Sequence, residues 1–260
     1  MIRMTAAPEV VVHSSPDLLA KAVAARLVTR LVDAQSNGRV ASVALTGGRV
    51  AAAVYRTIAG SPARSAVDWS RVDLWWSDER FLPSGHPERN ETQAREALLS
   101  AVGLDPSRVH AMPADTAQGA EQAAVDYAAE LAAAAPPGDR LAVPTFDLVM
   151  LGVGPDGHVA SLFPEQPALY ERERTVVAVH GAPKPPPTRI SMTMPVLSNA
   201  AEVWFVVSGE DKASAVRLAL SGAGEMQIPA AGPKGRSRTL WLLDNAAGAD
   251  VPKNIRPPRI

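Results

Sequence analysis

The chain is 260 residues long, 47% hydrophobic and 20% charged, with 26 Lys and Arg set against 27 Asp and Glu for a formal net charge of −1. That length buries a sizeable core, expected here as one α/β domain over 1–260, and the balanced charge gives no overall pull toward nucleic acid or an anionic membrane. With no cysteine, disulfides and thiolate metal sites are excluded.

From the N-terminus, Met1 to Val12 lacks the charged start, apolar stretch and small-residue cleavage pattern of a secretory signal. No stretch reaches the roughly 18 consecutive apolar residues of a membrane helix, so the expectation is a soluble cytoplasmic protein. Glu9 to His13 predicts a short strand. Ser14, Ser15 or Asp17 can then cap a helix whose apolar stripe runs through Leu18, Leu19, Val23, Leu27, Leu31 and Val32. Arg39 to Leu45 predicts a buried strand ending in Thr46-Gly47-Gly48, with an Ala-rich helix following to about Ile58. Val72 to Trp76 is another apolar strand, ending in Ser77-Asp78-Glu79-Arg80. Helices are expected over Asn90 to Leu99 and Thr116 to Ala135, then a surface loop through Pro144. Phe146 to Leu151 predicts a strand running into a glycine-rich segment, and Thr175 to Val179 and Arg189 to Met194 look extended. Val203 to Val207 leads into Ser208-Gly209 and a helix from about Lys212 to Leu220; Thr239 to Leu243 is the last strand, before a Pro-rich tail after about 250.

Short apolar strands alternating with amphipathic helices predict an α/β fold with a mostly parallel sheet. Ligands of such sheets sit at the carboxyl edge, where strands turn into helices. Four strand ends finish in glycine or polar clusters, at Gly47, Asp78, Gly154 and Gly209, and a parallel sheet brings all four to one edge.

Each cluster has its own chemistry. Thr46-Gly47-Gly48-Arg49 makes either a plain tight turn or a cradle that aims backbone N–H groups and a helix dipole at an anion. In the next cluster Arg80 suits bidentate grip of a phosphate or carboxylate, Asp78 can orient a hydroxyl or a catalytic partner, and Glu79 is expected to be structural. Gly152-Val153-Gly154-Pro155-Asp156-Gly157-His158 can crowd against a small molecule. There His158, near the start of an expected short helix, is a candidate general base, and Asp156 can hold its ring or cap that helix. Lys184 and Arg189 flank a stiff proline run, and Lys212 at a helix start opposes the dipole, which favours a ligand role. The five histidines, His13, His86, His110, His158 and His180, offer no paired metal spacing, so no metal is expected, and without a Gly-x-Ser-x-Gly elbow neither is a serine hydrolase.

Taken in order, Thr46-Gly47-Gly48, Ser77-Asp78-Glu79-Arg80, Asn90 with Ala94-Arg95-Glu96-Ala97-Leu98-Leu99, Asp156-Gly157-His158-Val159-Ala160-Ser161-Leu162-Phe163-Pro164, Arg189-Ile190-Ser191-Met192-Thr193 and Ser208-Gly209-x-x-Lys212 resemble the 6-phosphogluconolactonase family across roughly 43–243. Glucosamine-6-phosphate deaminases share Asp-Gly-His, but Ser161-Leu162-Phe163 favours the lactonases. The resemblance implies a three-layer α/β/α fold like that of the deaminases and ribose-5-phosphate isomerase. It implies a phosphorylated sugar lactone as the small-molecule partner, with no cofactor, nucleic acid or membrane. His158, Asp78 and Asp156 are the expected catalytic set, and Thr46, Gly47, Gly48, Arg49, Arg80, Gly154, Gly157, Arg189 and Lys212 the expected binding set. Which aspartate orients His158 stays open. Arg49 departs from the family, which usually has Ser there. A deaminase or isomerase on the same scaffold, and a sugar-phosphate-sensing domain, are the alternatives.

Overall fold

The computed structural model describes residues 7–252 and Ile255; most of the Pro-rich tail expected after about 250 lies outside them. The elements run β1 (Glu9–His13), α1 (Pro16–Gln35), β2 (Ala41–Leu45), α2 (Arg49–Gly60), β3 (Val72–Trp76), β4 (Asp78–Arg80), α3 (Asn90–Ala97), α4 (Gly119–Ala133), β5 (Leu148–Leu151), β6 (Val176–Val179), β7 (Arg189–Met192), α5 (Met194–Leu197), β8 (Glu202–Val207), α6 (Ala213–Leu220) and β9 (Arg238–Asp244). Every expected strand and long helix is present, with ends shifted by a few residues. Of the candidate caps for α1, Ser15 does the work: its hydroxyl accepts from Leu18 N at 3.2 Å, with Pro16 and Asp17 in the first turn. Leu19, Val23, Leu27 and Leu31 form the buried face, whereas Leu18 stays half exposed.

Six strands form one all-parallel sheet in the order β1-β9-β8-β5-β2-β3. β2 and β5 are buried at every position, as strands covered on both faces must be. Helices flank this sheet in a three-layer α/β/α arrangement, with α1 and α2 packed against each other. Sequence reading did not foresee a second, antiparallel sheet, β4-β7-β6, against which α4 packs. Ser77 joins the two sheets: its N–H donates to Leu45 O and its carbonyl accepts from Met192 N, both at 2.9 Å. The polar run after β3 therefore does not remain a loop; it turns into β4.

Beyond β3, His110 N donates to Leu74 O at 2.8 Å, and the His110 ring stacks on Trp75 with centroids 3.7 Å apart. Tyr127 of α4 reaches this point, accepting from Trp76 N at 3.0 Å and donating to His110 O at 3.2 Å. The imidazole lies 2.6 Å from Glu130 and 3.8 Å from Asp73. Burial alone lowers its pKa, but its bonds to Asp73 and Glu130 outweigh that and raise it to about 9.

A raised pKa stabilises the fold fully below the unfolded value of 6.5, and the benefit disappears as pH climbs through about 9. His110→Gln is therefore expected to lower the unfolding free energy by about 1–2 kcal/mol at pH 6, since Glu130 is partly open to solvent. In urea titrations the gap to the wild type closes toward pH 9 and above.

Candidate functional site

The four clusters meet. At the carboxyl edge of the parallel sheet lies a cleft of about 1050 Å³, lined by Gly47, Asp78, Gly154 and Gly209 together with Thr46, Gly48, Arg49, Arg80, Asn90, His158, Lys184, Arg189 and Lys212, among others. Asp244, buried at the end of β9, shapes one wall by accepting from Ser208 Oγ at 2.7 Å and Gly209 N at 3.2 Å.

His158 does not begin a helix. Gly154 N donates to His158 O at 2.9 Å, Val159 bridges to Leu162, and Ala160 takes a left-handed φ of 48°, so the segment folds into tight turns. His158 Nδ1 lies 2.5 Å from Asp156 Oδ1, and the ring leans on Phe163 with centroids 4.5 Å apart. The question of which aspartate orients the imidazole is thereby answered: Asp156 holds it from behind, outside the cleft lining. With Nδ1–H donated to the carboxylate, Nε2 carries the lone pair. Burial by itself raises the Asp156 pKa, but the bond to His158 and the imidazole charge lower it to about 2, with Lys184 adding a smaller share.

Gly154 lines the cleft and Gly157 does not, and each also has a structural task. A Cβ on Gly154 falls 2.0 Å from His158 Nδ1 and 2.5 Å from Asp156 Oδ1, so the pair exists only because this residue has no side chain. Gly157, at φ 83°, packs against Ile228 and is absent from the cleft wall. Gly154 N bonds His158 O and Gly157 N bonds Gly154 O, so the loop uses both donors for its own shape.

The cations gather in two places. Arg80 on β4 and Arg189 on β7 are direct cross-strand partners, a like-charge pairing that costs stability unless an anion or fixed acceptors offset it. Burial lowers the Arg189 pKa, Asp78 opposes that and Arg80 adds to it. Arg189 donates to the carbonyls of Lys184, Pro185 and Pro186 at 3.1 to 3.3 Å, while Arg80 donates to Glu88 O at 2.6 Å and keeps a buried Nε without a partner among the described residues. Across the cleft, α2 starts at Gly48, φ 95°, with no side-chain cap. Its first-turn N–H groups and positive dipole end face the same space, next to Arg49 and Lys212. Asp211 is held below its ordinary pKa mainly by its bond to Lys212 and in smaller part by Arg49, so the exposed Arg49 adds charge to this end of the cleft.

Beneath the arginines is a buried polar base that sequence reading missed. Glu79, structural as expected, accepts from the backbone N–H groups of Arg80, Asn90 and Glu91 at 2.6 to 2.9 Å. Burial raises its pKa to about 6 against the pull of Arg89 and those three donors. Asn90 donates through Nδ2 to Asp78 O at 2.9 Å, and Ser161 Oγ donates to Asp78 Oδ2 at 2.7 Å. The short spacing of Glu79 from Asn90, just before a helix start, was the available signal. Among the described residues no three His, Asp or Glu side chains group as metal ligands do, and no helix is long and apolar enough to cross a membrane.

Residues 14–241 match the family described as glucosamine-6-phosphate isomerases/6-phosphogluconolactonase. A 6-phosphogluconolactonase of Streptomyces coelicolor is 60% identical over 98% of this chain and 99% of its own length. The rat 6-phosphogluconolactonase is 40% identical over 91% of each. The structure of 6-phosphogluconolactonase from Trypanosoma brucei superposes with a TM-score of 0.82 at 25% identity, covering 96% of this chain and all of the other.

Gly154→Ala is expected to separate His158 from Asp156 and to cost about 1–3 kcal/mol of stability through overpacking. Nitrogen NMR of the imidazole reads the outcome directly, because the Nδ1–H resonance loses its carboxylate-bonded shift.

Proposed function

We infer that this chain, which belongs to the glucosamine-6-phosphate isomerase/6-phosphogluconolactonase family, hydrolyses 6-phospho-D-glucono-1,5-lactone to 6-phospho-D-gluconate in the oxidative pentose phosphate pathway. The observation that carries this reading is one cleft holding both a hydrogen-bonded imidazole and an end rich in backbone donors and cations. His158 is backed by Asp156 at 2.5 Å, and the uncapped start of α2 and a pair of arginines share its space. The 60% and 40% identical relatives support lactone hydrolysis over amino-sugar deamination, as does the Ser161-Leu162-Phe163 continuation after Asp-Gly-His.

In the mechanism we propose, the phosphate lies against the backbone N–H groups at Gly48 and Arg49, with Arg49, Arg189 and Lys212 supplying charge. That anchor fixes the ring and converts binding energy into orientation. His158 Nε2 removes a proton from water, and the water oxygen bonds to the lactone carbonyl carbon. The carbonyl oxygen becomes an oxyanion near the Arg80 guanidinium, which lines the cleft and supplies positive charge there. The bond from that carbon to the ring oxygen then breaks, and the imidazolium returns its proton to the departing oxygen. Asp156 keeps the ring in the required tautomer and stabilises the imidazolium. We propose that the reaction takes place in the cytoplasm.

The test is acid release from freshly made lactone against its spontaneous background. The wild type is expected to accelerate it, and His158→Ala to lose about 10²–10⁴-fold in kcat. Near-full activity in His158→Ala removes the imidazole from the mechanism. Ammonia release from glucosamine-6-phosphate, with no lactone turnover, overturns the reading altogether.

A further inference from the structure

We propose that Asn90 is a substrate-binding residue which, beside Asp78, recognises the ring hydroxyls of the bound sugar; this rests on the sugar-lactone reading above. Asn90 is only 2% exposed, yet it lines the cleft. Its amide orientation is set by Nδ2, which donates to Asp78 O at 2.9 Å and approaches Asp78 Oδ1 at 3.4 Å. Oδ1 therefore faces the other way, and it has no hydrogen-bond partner among the described residues. A buried acceptor left in that condition is destabilising, because the hydration it loses is not replaced. The fold gains nothing from it, because Nδ2 and the backbone N–H to Glu79 at 2.6 Å already anchor the residue.

The position of that oxygen is tightly defined. A Cβ on Gly47 would lie 1.8 Å from Asn90 Oδ1, so the oxygen sits against the turn where β2 opens into the cleft. Next to it, Asp78 is buried with Oδ2 engaged by Ser161 Oγ, so its accepting capacity toward the cleft is on Oδ1. An amide oxygen and an ionised carboxylate only accept hydrogen bonds. They repel phosphate oxygens and are satisfied by O–H donors, which a polyol ring carries at C2, C3 and C4. Among the described residues Arg80 is the other cleft residue with a buried, unpartnered side-chain atom, its Nε, and a guanidinium suits an ester or phosphate oxygen.

Kinetics on four lactones test this: the parent 6-phospholactone and its 2-, 3- and 4-deoxy forms. Wild type is expected to favour the parent in kcat/KM by about tenfold or more over at least one deoxy form, as sites built to bind a hydroxyl do. In Asn90→Ala that ratio is expected to shrink to within about threefold. An equal loss on all four lactones with the ratio preserved, or no discrimination by wild type, overturns the proposal. Calorimetric titration supplies an arm independent of turnover. Asn90→Ala is expected to weaken 6-phosphogluconate about tenfold and inorganic phosphate by less than about twofold; equal effects on both overturn it even where hydrolysis itself is absent. Asn90→Ser is too short to place an acceptor at the same point, and it carries the same expectations if the alanine variant does not fold.

Discussion

Everything at the site follows from six strands all running the same way. A parallel ladder needs a crossover between successive strands, so each carboxyl end must pass through a loop before the chain can return. Here those loops emerge on one edge, and their glycines and charges share a single cleft. Residues as distant in sequence as Gly47 and Lys212 are neighbours for that reason alone. The antiparallel β4-β7-β6 sheet then closes one side, with Ser77 bonded to both sheets so that the arginine-bearing strands hold a fixed distance from the main sheet.

The cleft is cationic at its surface and acidic underneath. Glu79, Asp78 and Asp156 are each held by several hydrogen bonds, and none is a free surface charge. Buried carboxylates such as Glu79 and Asp78 persist when donors surround them, and Asp78 offsets the crowding of Arg80 against Arg189. Asp156 fixes an imidazole, Glu79 fixes a helix start, and Asp78 ties three segments of chain together. The side chains expected to meet ligand rest on a layer of hydrogen-bonded polar groups.

Much of this was legible in the sequence. Continuous apolar runs such as Ala41–Leu45 and Leu148–Leu151 announce doubly covered strands, and the polar or glycine residues after them mark the functional edge. Ten of the twelve expected site residues line the cleft; Asp156 and Gly157 stand behind it. What stayed hidden depends on through-space geometry. β4 is three residues long, too short for any periodicity, and exists because β7 lies opposite. The helix expected near His158 fails because Ala160 takes a left-handed turn, which no local propensity of alanine foretells. Asn90 looks like an ordinary helix-start residue until Asp78 and Gly47 are placed around it. The choice between Asp78 and Asp156 as partner of the imidazole likewise needed a measured distance.

Arg189 shows what rigidity contributes here. Its guanidinium is clamped by three carbonyls of the proline-rich loop and lies over the Phe163 ring, 5.5 Å from the centroid. Freezing a long, mobile cation on capture of an anion ordinarily forfeits up to about 2 kcal/mol of rotamer entropy. Here that ordering is complete at the folding stage: Nε and Nη2 are taken by the loop carbonyls, so a phosphate bound as proposed would find Nη1 and the fixed charge already in place. A lysine in the same place would bring equal charge without that advantage, since it lacks the planar array of donors that the loop carbonyls hold.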